Sequence, residues 1–134
     1  MRYLLDTNAL LALGFGQHIS HPSVAAWLAA ADAPTLLTCA ITELGFTRVL
    51  AQAPAYGLTL AQACDLLSRL KQNGRVPVLF LSDDQQASRL PAWVRTPKQL
   101  TDGHLLQLAR AHRAELATLD RGIPGALVIP TVLD

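Results

Sequence analysis

Asp6, Glu43, Asp102 and Asp120 are the residues of this chain best placed to do chemistry. Asp6 follows the apolar run Tyr3-Leu4-Leu5, and Asp120 follows Ala117-Thr118-Leu119. Glu43 and Asp102 stand early in two segments with helical patterning. Carboxylates gathered without partners repel one another and resist ionising. A hard divalent cation such as Mg²⁺ or Mn²⁺ prefers oxygen ligands and removes that conflict. A cation so held can activate water and neutralise charge on a scissile phosphate, so the pattern reads first as a metal-dependent centre for phosphodiester cleavage. Each acid also has a structural reading. Asp6 can cap the helix that follows it, Asp120 can hold a turn beside Gly122, and Glu43 and Asp102 can complement helix dipoles.

Two polar neighbours support such a site. Asn8 can hold the Asp6 carboxylate by a hydrogen bond or stabilise a turn. Thr118 lies two residues before Asp120, on the same strand face, and can orient it. Gly103 beside Asp102 is unfavourable in a helix, which suggests a close backbone approach to a ligand. His18, His21, His104 and His112 lack metal-site spacing. His112 reads as packed on a core-facing stripe, and His104 is the one near enough to Asp102 to touch substrate. Arg48, Arg69, Lys71, Arg75, Arg110 and Arg113 are the basic candidates for a phosphate-backbone surface.

Positioning four distant acids requires a particular frame. Short apolar runs at Tyr3–Leu5, Thr35–Leu37, Val76–Leu81, Glu115–Leu119 and Leu127–Ile129 read as strands. Between them fall helical patterns: Thr7–Leu13, a helix opened by Ser20 or His21 with Pro22 in its first turn, one capped by Thr38 and running to about Ala51, one capped by Thr59 and ended at Asn73-Gly74, and one begun at Thr101-Asp102. In the Thr38-capped helix Ile41, Leu44, Gly45 and Val49 are expected to face inward, and Asp83-Asp84 to start a short helix. Strands alternating with helices predict a parallel sheet in three layers, an α/β/α sandwich. Ligands in such folds gather at the carboxyl ends of the strands, where these acids fall.

The chain of 134 residues fits one domain over 1–134. With 51% hydrophobic residues but only 5% aromatics, its core must come from Leu, Ala, Val and Ile. A net charge of +1 provides no global attraction to nucleic acid. Setting aside the four candidate acids leaves eleven Lys and Arg against six acids, a modestly basic remainder. Cys39 and Cys64 have no metal-ligand spacing and read as buried thiols. Residues 7–31 carry no charge, yet Asn8, Gln17, His18 and Pro22 interrupt any span of membrane length. A soluble cytoplasmic protein is expected.

Leu4-Leu5-Asp6-Thr7-Asn8, Ile41-Thr42-Glu43-Leu44-Gly45-Phe46-Thr47-Arg48, Thr101-Asp102 and Ala117-Thr118-Leu119-Asp120-Arg121-Gly122 together resemble a PIN domain. More narrowly they resemble the VapC toxins of VapBC toxin–antitoxin pairs. The likeness spans nearly the whole chain, in order and at compatible spacing. It implies a sheet ordered 3-2-1-4-5 and a Mg²⁺- or Mn²⁺-dependent endoribonuclease. It also implies Asp6, Glu43, Asp102 and Asp120 as the acidic site, with Asn8 and Thr118 in support. A homodimer and inhibition by a VapB-like antitoxin are expected as well. Cys39 departs from the serine common at its position, and Gly103 from alanine. Three other readings compete: a PIN-fold nuclease of RNA processing or DNA without a toxin role, a PIN-like binding module without catalysis, and a phosphoacceptor receiver domain. The receiver needs a lysine after a strand, which neither Lys71 nor Lys98 supplies.

Overall fold

In the computed structural model, which describes residues 1–132, alternate residues of the three central strands are committed to opposite cores. Leu5, Leu36 and Ala117 pack into one cluster, whereas Leu4, Leu37 and Leu116 pack into another. This is the period-two alternation of a sheet covered on both faces. The strands are β1 (Arg2–Leu5), β2 (Thr35–Cys39), β3 (Val78–Leu81), β4 (Glu115–Thr118) and β5 (Leu127–Val128). All their pairings are parallel, in the order β3-β2-β1-β4-β5.

Helices α1 (Thr7–Gly14), α2 (His21–Ala30), α3 (Ala40–Gln52) and α4 (Leu60–Asn73) supply the first core. Helix α5 (Leu100–Ala111), entered through a 3₁₀ turn at Pro97–Gln99, supplies the second. The result is the three-layer α/β/α arrangement expected from the alternating pattern, with the strand order that the family resemblance implies. Phe46, fully buried, fills the space beside Gly14, where a Cβ would lie 2.7 Å from its ring. Thr59 and Gln62 form the capping box of α4, with Gln62 N donating to Thr59 Oγ1 (3.1 Å) and Thr59 N to Gln62 Oε1 (2.9 Å).

Several local expectations are corrected. Thr38 does not cap α3. It remains in β2, and Cys39 is the cap, with Thr42 closing the box. On α3, Thr42, Phe46 and Leu50 are buried and the expected Ile41 and Val49 pack against the cores, while Leu44 is exposed. Asp83-Asp84 begin no helix, because Asp83 Oδ1 accepts from Gln85 N (3.0 Å) in a turn. β3 starts at Val78 rather than Val76. Cys39 is buried, but Cys64 is exposed on α4. His112 is the C-terminal cap of α5 and only half-buried. Gly103 is buried, and an added Cβ would clash with Val94 Cγ2, so a protein side chain explains this glycine.

Among the described residues, no helix is long and apolar enough to cross a membrane.

Candidate active site

The carboxyl ends of the central strands β1 and β4 carry the first part of the site. Asp6 N donates to Ala117 O (2.9 Å), which extends the β1–β4 ladder one residue beyond β1. Asp6 is then the N-cap of α1: its Oδ1 accepts from Thr7 N (2.8 Å). Its other oxygen accepts from Thr118 Oγ1 (2.8 Å) at the end of β4. Thr118 is fully buried, and its oxygen in turn accepts from Asp120 N (3.0 Å) and Asn8 Nδ2 (3.2 Å). Asn8 Oδ1 accepts from Leu119 N (3.0 Å). Asn8 therefore supports Asp6 through Thr118 and not by direct contact. Asp120 Oδ1 accepts from Gly122 N (2.7 Å), which fixes the aspartate at the head of its turn.

Asp102, in the first turn of α5, faces this pair. Burial pushes its carboxyl above the ordinary range, and the charges of Asp6 and Asp120 push further. Asp6 is raised as well. Burial is the largest cause and Asp120 adds to it, while the hydrogen bonds from Thr118 and Thr7 pull the other way. Among the described residues, no Lys or Arg lies within ion-pair distance of Asp6, Asp102 or Asp120. The three aspartates are thus an electrostatic neighbourhood of hard oxygen donors with excess negative charge, and that donor chemistry fits a hard divalent cation. It is not a closed coordination shell: among the described residues, no three His, Cys, Asp or Glu side chains stand together at metal-holding distance.

Glu43 is placed differently. Its Oε2 accepts from Thr38 Oγ1 (2.6 Å) and from Lys71 Nζ (2.7 Å). Strand alternation accounts for the different partners. Leu4 belongs to the α5-side core, so Asp6, two residues on, continues toward that side. Leu36 belongs to the opposite core, so Thr38 carries its hydroxyl, and Glu43 with it, to the α3 side. Of the four acids expected on one rim, the three aspartates act on one another's charge, and Glu43 has Thr38 and Lys71 as its partners.

Thr38 and Lys71 are the two contributors that reading the sequence assigned elsewhere, to a helix cap and to a phosphate-backbone surface. The alternation Leu36-Leu37-Thr38 carried the signal for Thr38. Nothing local carried one for Lys71. His104 does not point freely at substrate, since its Nε2 is hydrogen-bonded to Asp83 Oδ2 (2.5 Å). Arg69 is paired with Asp65 (2.9 Å) on the exposed face of α4, and Arg48, Arg75, Arg110 and Arg113 are exposed.

The PIN-domain family model matches residues 3–126. Ribonuclease VapC44 of Mycobacterium tuberculosis is 36% identical over 94% of this chain and 94% of its own length. Ribonuclease VapC29 of the same organism is 36% identical, with 98% of each chain covered. Among solved structures, M. tuberculosis VapC20, described as a sarcin–ricin-loop cleaving toxin, superposes with a TM-score of 0.66 at 16% identity, covering 96% of this chain and 99% of that one. FitAcB from Neisseria gonorrhoeae gives a TM-score of 0.59 at 24% identity, with 96% of each covered. At these identities the structural likenesses speak to the fold.

Proposed function

The chain belongs to the PIN-domain family, and within it to the VapC ribonucleases; from that premise we propose that it is a divalent-metal-dependent endoribonuclease whose chemistry is done at the aspartate rim. The observation that carries this reading is the coupling of Asp6, Asp102 and Asp120 without a resident countercharge. Asp6, Asp102 and Asp120 would hold Mg²⁺ or Mn²⁺, with Glu43 the fourth acid of the site. When bound, the cation supplies Lewis-acid activation of water and charge neutralisation at the phosphate. The chain's own residues do the rest. Thr118 holds one Asp6 oxygen so that the carboxylate keeps a single orientation, and Asn8 fixes Thr118. The turn at Gly122 holds Asp120.

By analogy with its relatives, the protein acts as the toxin of a toxin–antitoxin pair on an RNA substrate. A VapB-like antitoxin is its partner, a homodimer its assembly and the cytoplasm its place of action. Incubating the purified protein with total RNA in Mn²⁺ or Mg²⁺ tests the enzymatic core of this reading. Wild-type protein should yield defined cleavage ends, and both Asp6→Asn and Asp102→Asn should reduce them to background. Cleavage that persists undiminished in EDTA, or in Asp6→Asn, would overturn it.

A further inference from the structure

Lys71 is the one basic side chain, among the described residues, that forms an ion pair with any of the four acids. It is a built contact. The ammonium stands 2.7 Å from Glu43 Oε2 and 5.3 Å from the centre of the Phe80 ring. Phe80 is the β3 residue in register with Thr38, and Thr38 donates to the same Glu43 oxygen. Residues from β2 and α4 thus meet on one carboxylate oxygen of α3, Phe80 of β3 packs on the ammonium, and both groups of the pair are largely covered. A covered ion pair is costly to break by removing one partner, because the other charge is left uncompensated.

We propose that Lys71 is a positioning residue: the internal counter-ion of Glu43, which keeps that carboxylate out of the cation site formed by the three aspartates. The proposal rests on the metal-site reading given above. Physically, Glu43 can lend its negative charge either to Lys71 or to a cation at the aspartate rim, and the Lys71 contact sets the balance between them. Without the ammonium, the full charge of Glu43 becomes available to the rim. With Glu43 neutral, the ammonium has little left to withhold, and at ordinary salt its own field is screened over about 8 Å.

Calorimetric titration of metal-free protein with Mn²⁺ tests this without any activity measurement. Lys71→Met keeps an unbranched stem beside Phe80 while removing the charge. Lys71→Met should bind Mn²⁺ about tenfold more tightly than wild type, the scale on which neighbours of metal ligands act. Lys71→Arg should stay near wild type. In a Glu43→Gln background, adding Lys71→Met should change the affinity by less than about twofold, the limit of additivity for uncoupled sites. Circular dichroism melting checks each variant, and Lys71→Gln replaces Lys71→Met should the latter fail to fold. Unchanged or weaker Mn²⁺ binding in the neutral variant overturns the proposal. Equal tightening in both backgrounds does so too, because Lys71 would then act as a bare charge and not through Glu43. If wild type binds Mn²⁺ in an Asp6-dependent way and only the Lys71 effect is missing, the metal site stands and the proposal alone falls. Wild-type protein that binds no Mn²⁺ overturns both.

Discussion

Thr118 and Asp6 end neighbouring strands, and the Thr118 hydroxyl donates its single proton to Asp6 Oδ2 over 2.8 Å. The Thr118 hydroxyl oxygen itself accepts from Asp120 N and Asn8 Nδ2, so one buried hydroxyl aligns the two aspartates. Thr118→Val keeps the shape and deletes all three bonds. It leaves buried groups unpaired, at about 1–3 kcal/mol of stability. RNA cleavage should fall by about 10- to 100-fold, the usual loss when a ligand's hydrogen-bond partner is removed. Thr118→Ser should restore most of both. Urea denaturation and single-turnover cleavage measure the two effects, and a Thr118→Val protein with wild-type activity would contradict the assignment.

Asp102 gives the fold an unusual pH dependence. Burial first, then Asp6 and Asp120, hold its folded carboxyl above the ordinary value of 3.8. Below that value the group is protonated in both states and costs nothing. As the pH rises, the unfolded chain ionises first, and stability is lost until the folded group has ionised too. Asp6 acts in the same direction. Metal-free Asp102→Asn should therefore melt above wild type at neutral pH, by about 4 °C for each kcal/mol relieved at this chain length. The gap should close on acidification to about pH 4. Thermal melts in EDTA across that range decide it, and a lower melting temperature for Asp102→Asn at neutral pH would refute the repulsion.

Gly103 is a packing requirement. Exchanging it for Ala gains about 0.8–1 kcal/mol of helix propensity. The new methyl would meet Val94 Cγ2, and overpacking of that kind costs about 1–3 kcal/mol. Gly103→Ala should come out destabilised on balance, and Val94→Ala should be less harmful in the Gly103→Ala background than alone. Denaturation of the four proteins in a double-mutant cycle measures that coupling. Strict additivity would show that the Val94 contact does not select the glycine.

The parts of this molecule legible in its sequence are those governed by short-range rules. Thr59 and Gln62 announce a capping box by spacing alone, and the alternation of Leu4 and Leu5 announces a strand covered on both faces. That Asp6 and the Glu43 partner Thr38 lie on different strand faces was legible in principle, since Asp6 follows Leu4 by two and Thr38 follows Leu36 by two. Reading Thr38 as a cap hid it, because a cap has no strand face. The strand runs through Thr38 since its backbone is still in register with Phe80 of β3. Lys71 lay beyond such rules. Its contact with Glu43 depends on how α4 packs against α3, and on a ring from β3 that arrives only after the loop following α4. Gly103 likewise depends on Val94, which sits in an irregular segment with no pattern of its own.

The Asp83–His104 pair predicts a pH profile opposite to that of Asp102. Burial alone would raise the Asp83 carboxyl, but the hydrogen bond from His104, the one from Gln85 N and the charge on His104 together bring it below the ordinary value. Here the unfolded chain protonates first as the pH falls. The stabilisation is present above the ordinary carboxylate range and is lost as the pH drops through the folded value. Asp83→Asn should thus lose stability at neutral pH, because the charge-assisted bond to His104 is lost. It should converge on wild type at strongly acid pH, whereas Asp102→Asn should be the more stable protein at neutral pH. His104→Ala combined with Asp83→Asn should be no worse than the more damaging single change, because the two share one interaction. Melting curves of the three variants across the acid range measure this directly. Parallel profiles for Asp83→Asn and Asp102→Asn would mean that both carboxylates sense only the overall charge of the protein, and the opposed local environments inferred for them would be wrong.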